Sequence, residues 1–215
     1  MQNFLAIDTS GSYLSVVAVK DGAPYATFVP DCAMKQSVLL MGEVDALLKK
    51  AKAKINDFDF FSAVCGAGSF TGIRIGISAV KGFALACQKP TLPVTSFDVL
   101  AYNAIDEKVL CLIDAMHGYY YACGYENGKV TFAPAYISEE QALALIKAEE
   151  YIPLAGEKLP LFDKVVGRIV NPATGLRLAV EAKASEGAFG QLNALYVRKS
   201  SAEENLQANL AKTGG

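Results

Sequence analysis

Phe4-Leu5-Ala6-Ile7 is an unbroken apolar run that ends on Asp8, and Tyr13 to Lys20 is apolar with polar interruptions, so both read as strands. Asp21-Gly22 then separates them from a third run, Tyr25 to Val29. Those two residues tolerate the positive φ angles of a tight turn, which makes the pair a hairpin signal. From Ser37 to Ala51 the apolar positions Leu40, Met41, Val44, Leu47 and Leu48 recur at helical spacing. Phe60 to Cys65 is a short apolar run bounded by polar residues and glycine, and reads as a buried strand. The stretch GAGSFTGIRIG, Gly66 to Gly76, follows it, and Thr71 to Cys87 reads as a helix.

The same plan recurs 106 residues later, where Leu110-Cys111-Leu112-Ile113 runs into Asp114 as the first strand runs into Asp8. Tyr119 to Glu126 is the second strand of this copy, Asn127-Gly128 the hairpin turn, and Val130-Thr131-Phe132 the third strand. A helix from Ser138 to Ile146, a strand from Ile152 to Ala155 and a helix from Ala173 to Ala184 complete it, although residues 139–186 carry the weakest pattern. The order strand-strand-strand-helix-strand-helix, twice, predicts an α/β fold of two related lobes, residues 1–104 and 105–215. The last segment of the second lobe is expected to pack back on the first. Two such lobes facing each other form the actin-like ATPase (ribonuclease H-like) architecture.

Charge and cysteine usage narrow the function classes. With 20 Lys and Arg against 22 Asp and Glu, the net charge is -2. That balance offers no general attraction for nucleic acid, so any RNA role needs a partner to supply basic surface. The cluster Lys49, Lys50, Lys52 and Lys54 closes a helix, where cations complement the dipole. The five cysteines are odd in number and never spaced C-x-x-C, as expected of small core residues in a reducing compartment. The N-terminus enters a strand pattern without a basic leader, and Arg74 and Lys81 interrupt the longest apolar helix. A soluble cytoplasmic protein with no membrane contact is the expectation.

Two features invite chemistry, and each has a structural alternative. A strand, a glycine loop and a helix N-terminus present bare amides and a positive dipole end, so Ser69 and Thr71 are candidates for contact with an anion or nucleotide. The alternative is a tight strand-to-helix corner. No Gly-Lys-Ser/Thr follows, so this is not a P-loop. In the actin-like architecture an aspartate ending the first strand of each lobe looks into the nucleotide cleft, and the resemblance implies that role for Asp8 and Asp114, as metal-water ligands or general bases. Equally, each can cap the turn that follows it. His117 is the chain's one histidine and stands beside Gly118, where it reads as a turn residue.

Leu5-Ala6-Ile7-Asp8-Thr9-Ser10, the loop GAGSFTGIRIG with Ala79-Val80-Lys81-Gly82-Phe83-Ala84 after it, Val94 to Ala101, Ile113-Asp114-Ala115, and Tyr196-Val197-Arg198-Lys199-Ser200 occur in this order. Together they resemble the TsaB (YeaZ) family, dimerization subunits of bacterial threonylcarbamoyl-adenosine tRNA modification. The resemblance implies a non-catalytic subunit that pairs with TsaD, meets TsaE indirectly and meets tRNA only through the complex. It implies no cofactor bound by this chain alone, with ATP or ADP entering only in the complex, and no metal, since one histidine cannot supply the His-x-x-x-His pair of TsaD. The family pairs its two first-lobe helices with a partner's, and in isolation with a second copy. Here that face is assigned to Ser37, Leu40, Met41, Val44, Gly72, Arg74, Ile75, Gly76 and Ala79. The small residues Gly72, Gly76 and Ala79 form one ridge, which serves close approach by a partner or close packing on the protein's own sheet.

Three positions depart from the family pattern. Ala67 replaces a proline, Gln36 stands where a histidine precedes Ser37, and Met116 stands where an arginine follows Asp-Ala. An active small-molecule kinase or ATPase of the same superfamily is the rival reading, favoured by Asp8 and the glycine loop. A metallopeptidase of the M22 type is a second rival, and it needs metal ligands that this sequence does not offer.

Overall fold

A computed structural model describes residues 2–198, so Lys199 and Ser200 of the last motif lie outside the described residues. Strands β1 (Phe4–Asp8), β2 (Leu14–Lys20) and β3 (Ala23–Val29) open the chain, followed by α1 (Gln36–Ala51), β4 (Phe60–Val64), α2 (Phe70–Cys87), β5 (Thr91–Val94) and α3 (Ser96–Ala101). The second half holds β6 (Val109–Asp114), β7 (Tyr119–Glu126), β8 (Lys129–Ser138), α4 (Glu139–Glu149), β9 (Ile152–Ala155), β10 (Arg168–Ile169) and α5 (Pro172–Ser185).

Each half forms a five-stranded sheet, in the orders β3-β2-β1-β4-β5 and β10-β9-β6-β7-β8. Read from the antiparallel edge, the two orders are the same. The hairpin turns match as well: Asp21 and Gly22 have φ of 51° and 80°, and Asn127 and Gly128 have 49° and 74°. Two successive positive φ angles give the turn twist that fits a right-handed strand pair. In register, Asp8 faces Ser15 and Asp114 faces Tyr120.

The first sheet is covered on both faces, which is why β1 and β4 are apolar without alternation. On one side Leu5, Ile7, Val16 and Phe61 pack against α1 and α2 through Leu40, Val44, Ile73 and Val80. On the other, Phe4, Ala6, Val17 and Val19 pack against Val99 of α3 and against Leu176, Ala179 and Val180 of α5. By length and composition α2 is apolar enough to cross a bilayer. Here it lies on the sheet with Ile73, Ile77 and Val80 buried. All five cysteines are free thiols, and four of them are buried.

The second copy departs from the expected plan in one respect. The helix read over Ala173 to Ala184 was expected to match α2, but it follows a further strand, β10, and so takes the position of α3. Between β9 and β10 only a short 3₁₀ turn, Pro160–Asp163, makes the crossover. Twelve residues separate these strands, Gly156 to Gly167, too few for a helix of the 18 residues of α2. The second sheet therefore has no counterpart of α2. The first copy likewise gains β5 and α3, and β8 runs on to Ser138, well past Phe132.

Asp98 ties the halves together. Its carboxylate accepts hydrogen bonds from Thr95 N and Thr95 Oγ1 at 2.8 and 2.7 Å, closing the N-terminal cap of α3, and from Tyr125 Oη of the second sheet at 3.1 Å. Lys183 Nζ of α5 lies 3.3 Å from it. Asp98→Ala would leave the Tyr125 hydroxyl buried without its acceptor and open the cap, so it should destabilise the fold by about 3 kcal/mol in urea unfolding. Asp45→Ala breaks only the exposed pair with Lys49 and should cost under about 0.5 kcal/mol. Equal losses for the two would show that Asp98 carries no special weight.

Candidate functional site

The loop after β1, Thr9 to Tyr13, follows Asp8, one of the residues read as a candidate for nucleotide contact, and it is tied to the protein's own side chains. Asp8 is fully buried. Its Oδ1 accepts from Ser10 N at 2.8 Å and Ser10 Oγ at 2.7 Å, and its Oδ2 accepts from Tyr13 Oη at 2.9 Å. Burial pushes the carboxyl pKa up, against the hydrogen bonds from Ser10 and Tyr13 that pull it down. Gln36, at the start of α1, extends its amide into the loop, where Nε2 donates to the carbonyls of Gly11 and Tyr13 at 2.8 and 2.9 Å, with Thr9 O at 3.3 Å. Gln36 is thus a clamp on the loop backbone.

The glycine loop closes on the same segment from the other side. Gly66 and Gly68 adopt φ of 114° and 140°, conformations that L side chains rarely take, and the Gly66-Ala67 peptide is cis. Ser69 N donates to Ser10 O at 2.7 Å, and Ser69 Oγ caps α2 by accepting from Gly72 N at 3.2 Å. Thr9 Oγ1 donates to Gly72 O at 2.7 Å. A Cβ on Gly72 would lie 2.0 Å from Thr9 O, and one on Gly76 would lie 2.6 Å from Thr9 Oγ1. The glycine stretch is therefore a strand-to-helix corner that seats α2 on the loop after β1.

That geometry corrects the assignment of the partner face. Gly72 and Gly76 point into the protein's own core, together with Ile73, Ile77 and Val80, and Val44 is buried among the same residues. The ridge is smooth because the Thr9 backbone occupies it. The outer side of the two helices is a different set. An open groove of about 550 Å³ runs between α1 and α2, with Leu40 at its floor and Ser37, Met41, Arg74, Ile75 and Ala79 along it. Phe70 belongs to this groove too; Met41 in its lining is 52% exposed, and Val38, next to Ser37 on α1, is 81% exposed. Phe70 and Val38 were missed by the sequence reading, although Val38 directly follows Ser37 on an apolar helix.

The four residues read as candidates for anion or nucleotide contact are not gathered with free polar groups: Asp8 and Ser69 both bond Ser10, and Asp114 lines the cleft beside it. Asp8 is enclosed, Ser69 is spent on the helix cap, and Thr71 is exposed in the α1/α2 groove. Asp114 reaches the cleft between the lobes, yet its Oδ1 accepts from Met116 N at 2.8 Å and caps the turn after β6. His117 lies exposed in that turn at φ 56°, beside Gly118. Among the described residues no three His, Cys, Asp or Glu side chains gather as metal ligands. The cleft itself, lined by Ser10, Tyr13, Ser96, Asp114 and Glu157, encloses about 30 Å³. That is room for a water molecule or two, against about 300 Å³ or more for an organic ligand. Ser12 Oγ donates to Glu157 Oε2 across it at 2.6 Å.

Two lobes of matching sheet topology around a shared cleft define the actin-like, ribonuclease H-like class. Residues 15–197 match the family described as TsaD, tRNA N6-adenosine threonylcarbamoyltransferase, and the chain belongs to that family. Its relatives include the tRNA threonylcarbamoyladenosine biosynthesis proteins TsaB of Escherichia coli (strain K12), 33% identical over 131 residues, and of Bacillus subtilis (strain 168), 30% identical over 128 residues. Each match covers 58% of this chain, and the chain spans 56% of the length of each relative. Among solved structures, YeaZ from Pseudomonas aeruginosa superposes with a TM-score of 0.76 at 24% identity, covering 91% of this chain and all of that one.

Two predictions follow from the loop. Gly72→Ala forces a Cβ against the Thr9 backbone and should cost about 2 kcal/mol or more. Gly82→Ala, on the open side of α2 with nothing within 4 Å, should gain up to about 1 kcal/mol. Urea unfolding of both variants checks the contrast, and a neutral Gly72→Ala would place that glycine outside the core. The raised Asp8 pKa carries a sign as well. Its carboxyl holds a proton more readily folded than unfolded, so its contribution is present below the unfolded pKa of about 3.9 and is lost as pH rises through the folded value. Asp8→Asn carries no charge and should gain on the wild type as pH rises from about 4 to 7.5. A gap that is flat or narrows in the opposite direction would remove burial as the dominant cause.

Proposed function

We propose that this chain is the non-catalytic partner of a TsaD-type tRNA N6-adenosine threonylcarbamoyltransferase, docked on it through the outer face of α1 and α2. The observation that carries this reading is a division of the first lobe. The side of α2 toward the cleft is filled by the protein's own loop, while the side away from it is an open apolar groove. A contiguous exposed apolar face on a folded domain marks an interaction surface. The names of the relatives, biosynthesis proteins TsaB, supply the process.

Several features support a subunit without chemistry of its own. The paired-histidine metal site of the transferase does not fit here, because His117 stands alone on an exposed turn. A kinase or ATPase would need Asp8 free to face a nucleotide, and both its oxygens are occupied. On this reading the chain binds no cofactor alone, and ATP or ADP enters only with the complex, through TsaE and the transferase. The role is conformational, requiring only that the chain bind the active state of the transferase more tightly than the inactive one. tRNA is met through the complex, in the cytoplasm, and an isolated chain covers the same face with a second copy.

The test is reconstitution of tRNA modification from the transferase, the adenylate-forming enzyme, the small ATPase TsaE and tRNA. Omitting this chain, or supplying it as Met41→Arg, should lower modification by about 5- to 150-fold, the usual range of coupling between sites. Met41 is the right position because it is exposed, whereas Gly76→Leu would strike the core. Equal modification in all three mixtures would overturn the proposal.

A further inference from the structure

The α1/α2 groove has one charged side chain in its lining, Arg74, and that guanidinium is held rather than free. Its central carbon sits 3.8 Å above the centre of the Phe70 ring. Its Nε donates to Tyr196 Oη at 2.9 Å, and the Phe70 and Tyr196 rings stack at 4.8 Å. Tyr196 is fixed in turn by its neighbours, since Leu195 N donates to Cys65 O at 2.6 Å and Leu192 is buried against the first-sheet core. A segment more than a hundred residues downstream thereby holds one arginine at the edge of the groove.

What this arginine lacks is an acid. None of the ion pairs among the described residues involves Arg74, and no Asp or Glu lines the groove. With Nε engaged, the two terminal nitrogens keep four N–H donors in a planar fork, a shape that matches a carboxylate bidentately. The stacked rings have already restricted the side chain, so little rotamer freedom remains to be lost when it pairs.

Resting on the partner reading above, we propose that Arg74 is the specificity anchor of this face. It pairs bidentately with a Glu or Asp carboxylate that a helical partner presents beside its apolar stripe. A groove between two helices suits a third helix laid along it, and the guanidinium at its edge fixes the register of that helix. Charge complementarity favours a different protein over a second copy of this chain. The groove of a second copy offers the hydroxyls of Ser37, Thr71 and Ser78 and apolar carbon, but no carboxylate.

The experiment is a binding titration of the full chain against the purified TsaD-type transferase at low salt and at about 0.5 M salt. Arg74→Met should weaken binding about 30-fold, mainly through faster dissociation, with the melting temperature held. Arg74→Lys should recover only part of the loss, because a point charge replaces a fork, and Tyr196→Phe should weaken binding a few-fold by loosening the guanidinium. The wild type should lose more affinity to salt than Arg74→Met does. Wild-type binding with Arg74→Met unchanged would overturn the anchor and leave the partner reading standing, whereas no wild-type binding would overturn both. Tighter binding by a Glu203→Gln, Glu204→Gln double variant would assign the groove to the chain's own last residues. Loss of self-association by Arg74→Met with transferase binding intact would assign it to a second copy, and either result overturns the proposal.

Discussion

The first lobe depends on one close approach: the opening turn of α2 lies directly on the Thr9 backbone, with no room for a side-chain carbon between them. Two hydrogen bonds lock it, Thr9 Oγ1 to Gly72 O and Ser69 N to Ser10 O. Glycine inside a helix costs roughly 1 kcal/mol relative to alanine, and Gly72 and Gly76 are kept where that cost is offset by the contact. From this one seat the rest is positioned. The loop after β1 is pressed against Asp8 and held from the far side by Gln36, and α2 is set beside α1 at the spacing that opens the groove.

The same seat explains why the cleft and the outer face behave so differently. A cleft that binds phosphate needs unsatisfied amides and a solvated carboxylate, and here the Ser10 amide, the Ser10 hydroxyl and the Tyr13 hydroxyl all donate to the buried Asp8 carboxylate, while Gln36 Nε2 donates to the loop carbonyls. Ser12 and Glu157 bridge the lobes over the remaining space. Polar capacity is thus consumed inside, while the apolar surface of Val38, Met41 and Phe70 is left outside. The inner end of α2 is closed by the protein's own loop, and its outer side stays open.

Much of this was legible in the residues. The doubled Asp-to-hairpin spacing gave away the repeat, because turn chemistry is local and Asp-Gly and Asn-Gly specify positive φ wherever they stand. What was not legible is direction. Helical spacing groups Gly72 with Gly76 but carries no sign for inside or outside, and the ridge was assigned to a partner when Thr9 was its true neighbour. Ile73, Ile77 and Val80, large apolar residues beside the glycines, were the available signal for the inner side. The two-residue strand β10 is too short for any pattern, and missing it displaced α5 by one element. Tyr196 meets Arg74 only through the fold, so no local pattern announced that contact.

The missing counterpart of α2 in the second lobe has a consequence for assembly. A repeat that carried the two-helix face twice would offer two equivalent sockets per molecule, and chains linked through both would grow into open filaments, as head-to-tail contacts do when they fail to close. With a 3₁₀ turn in place of the second long helix, one molecule presents one socket. A partner that takes up this face therefore meets it once per molecule among the described residues.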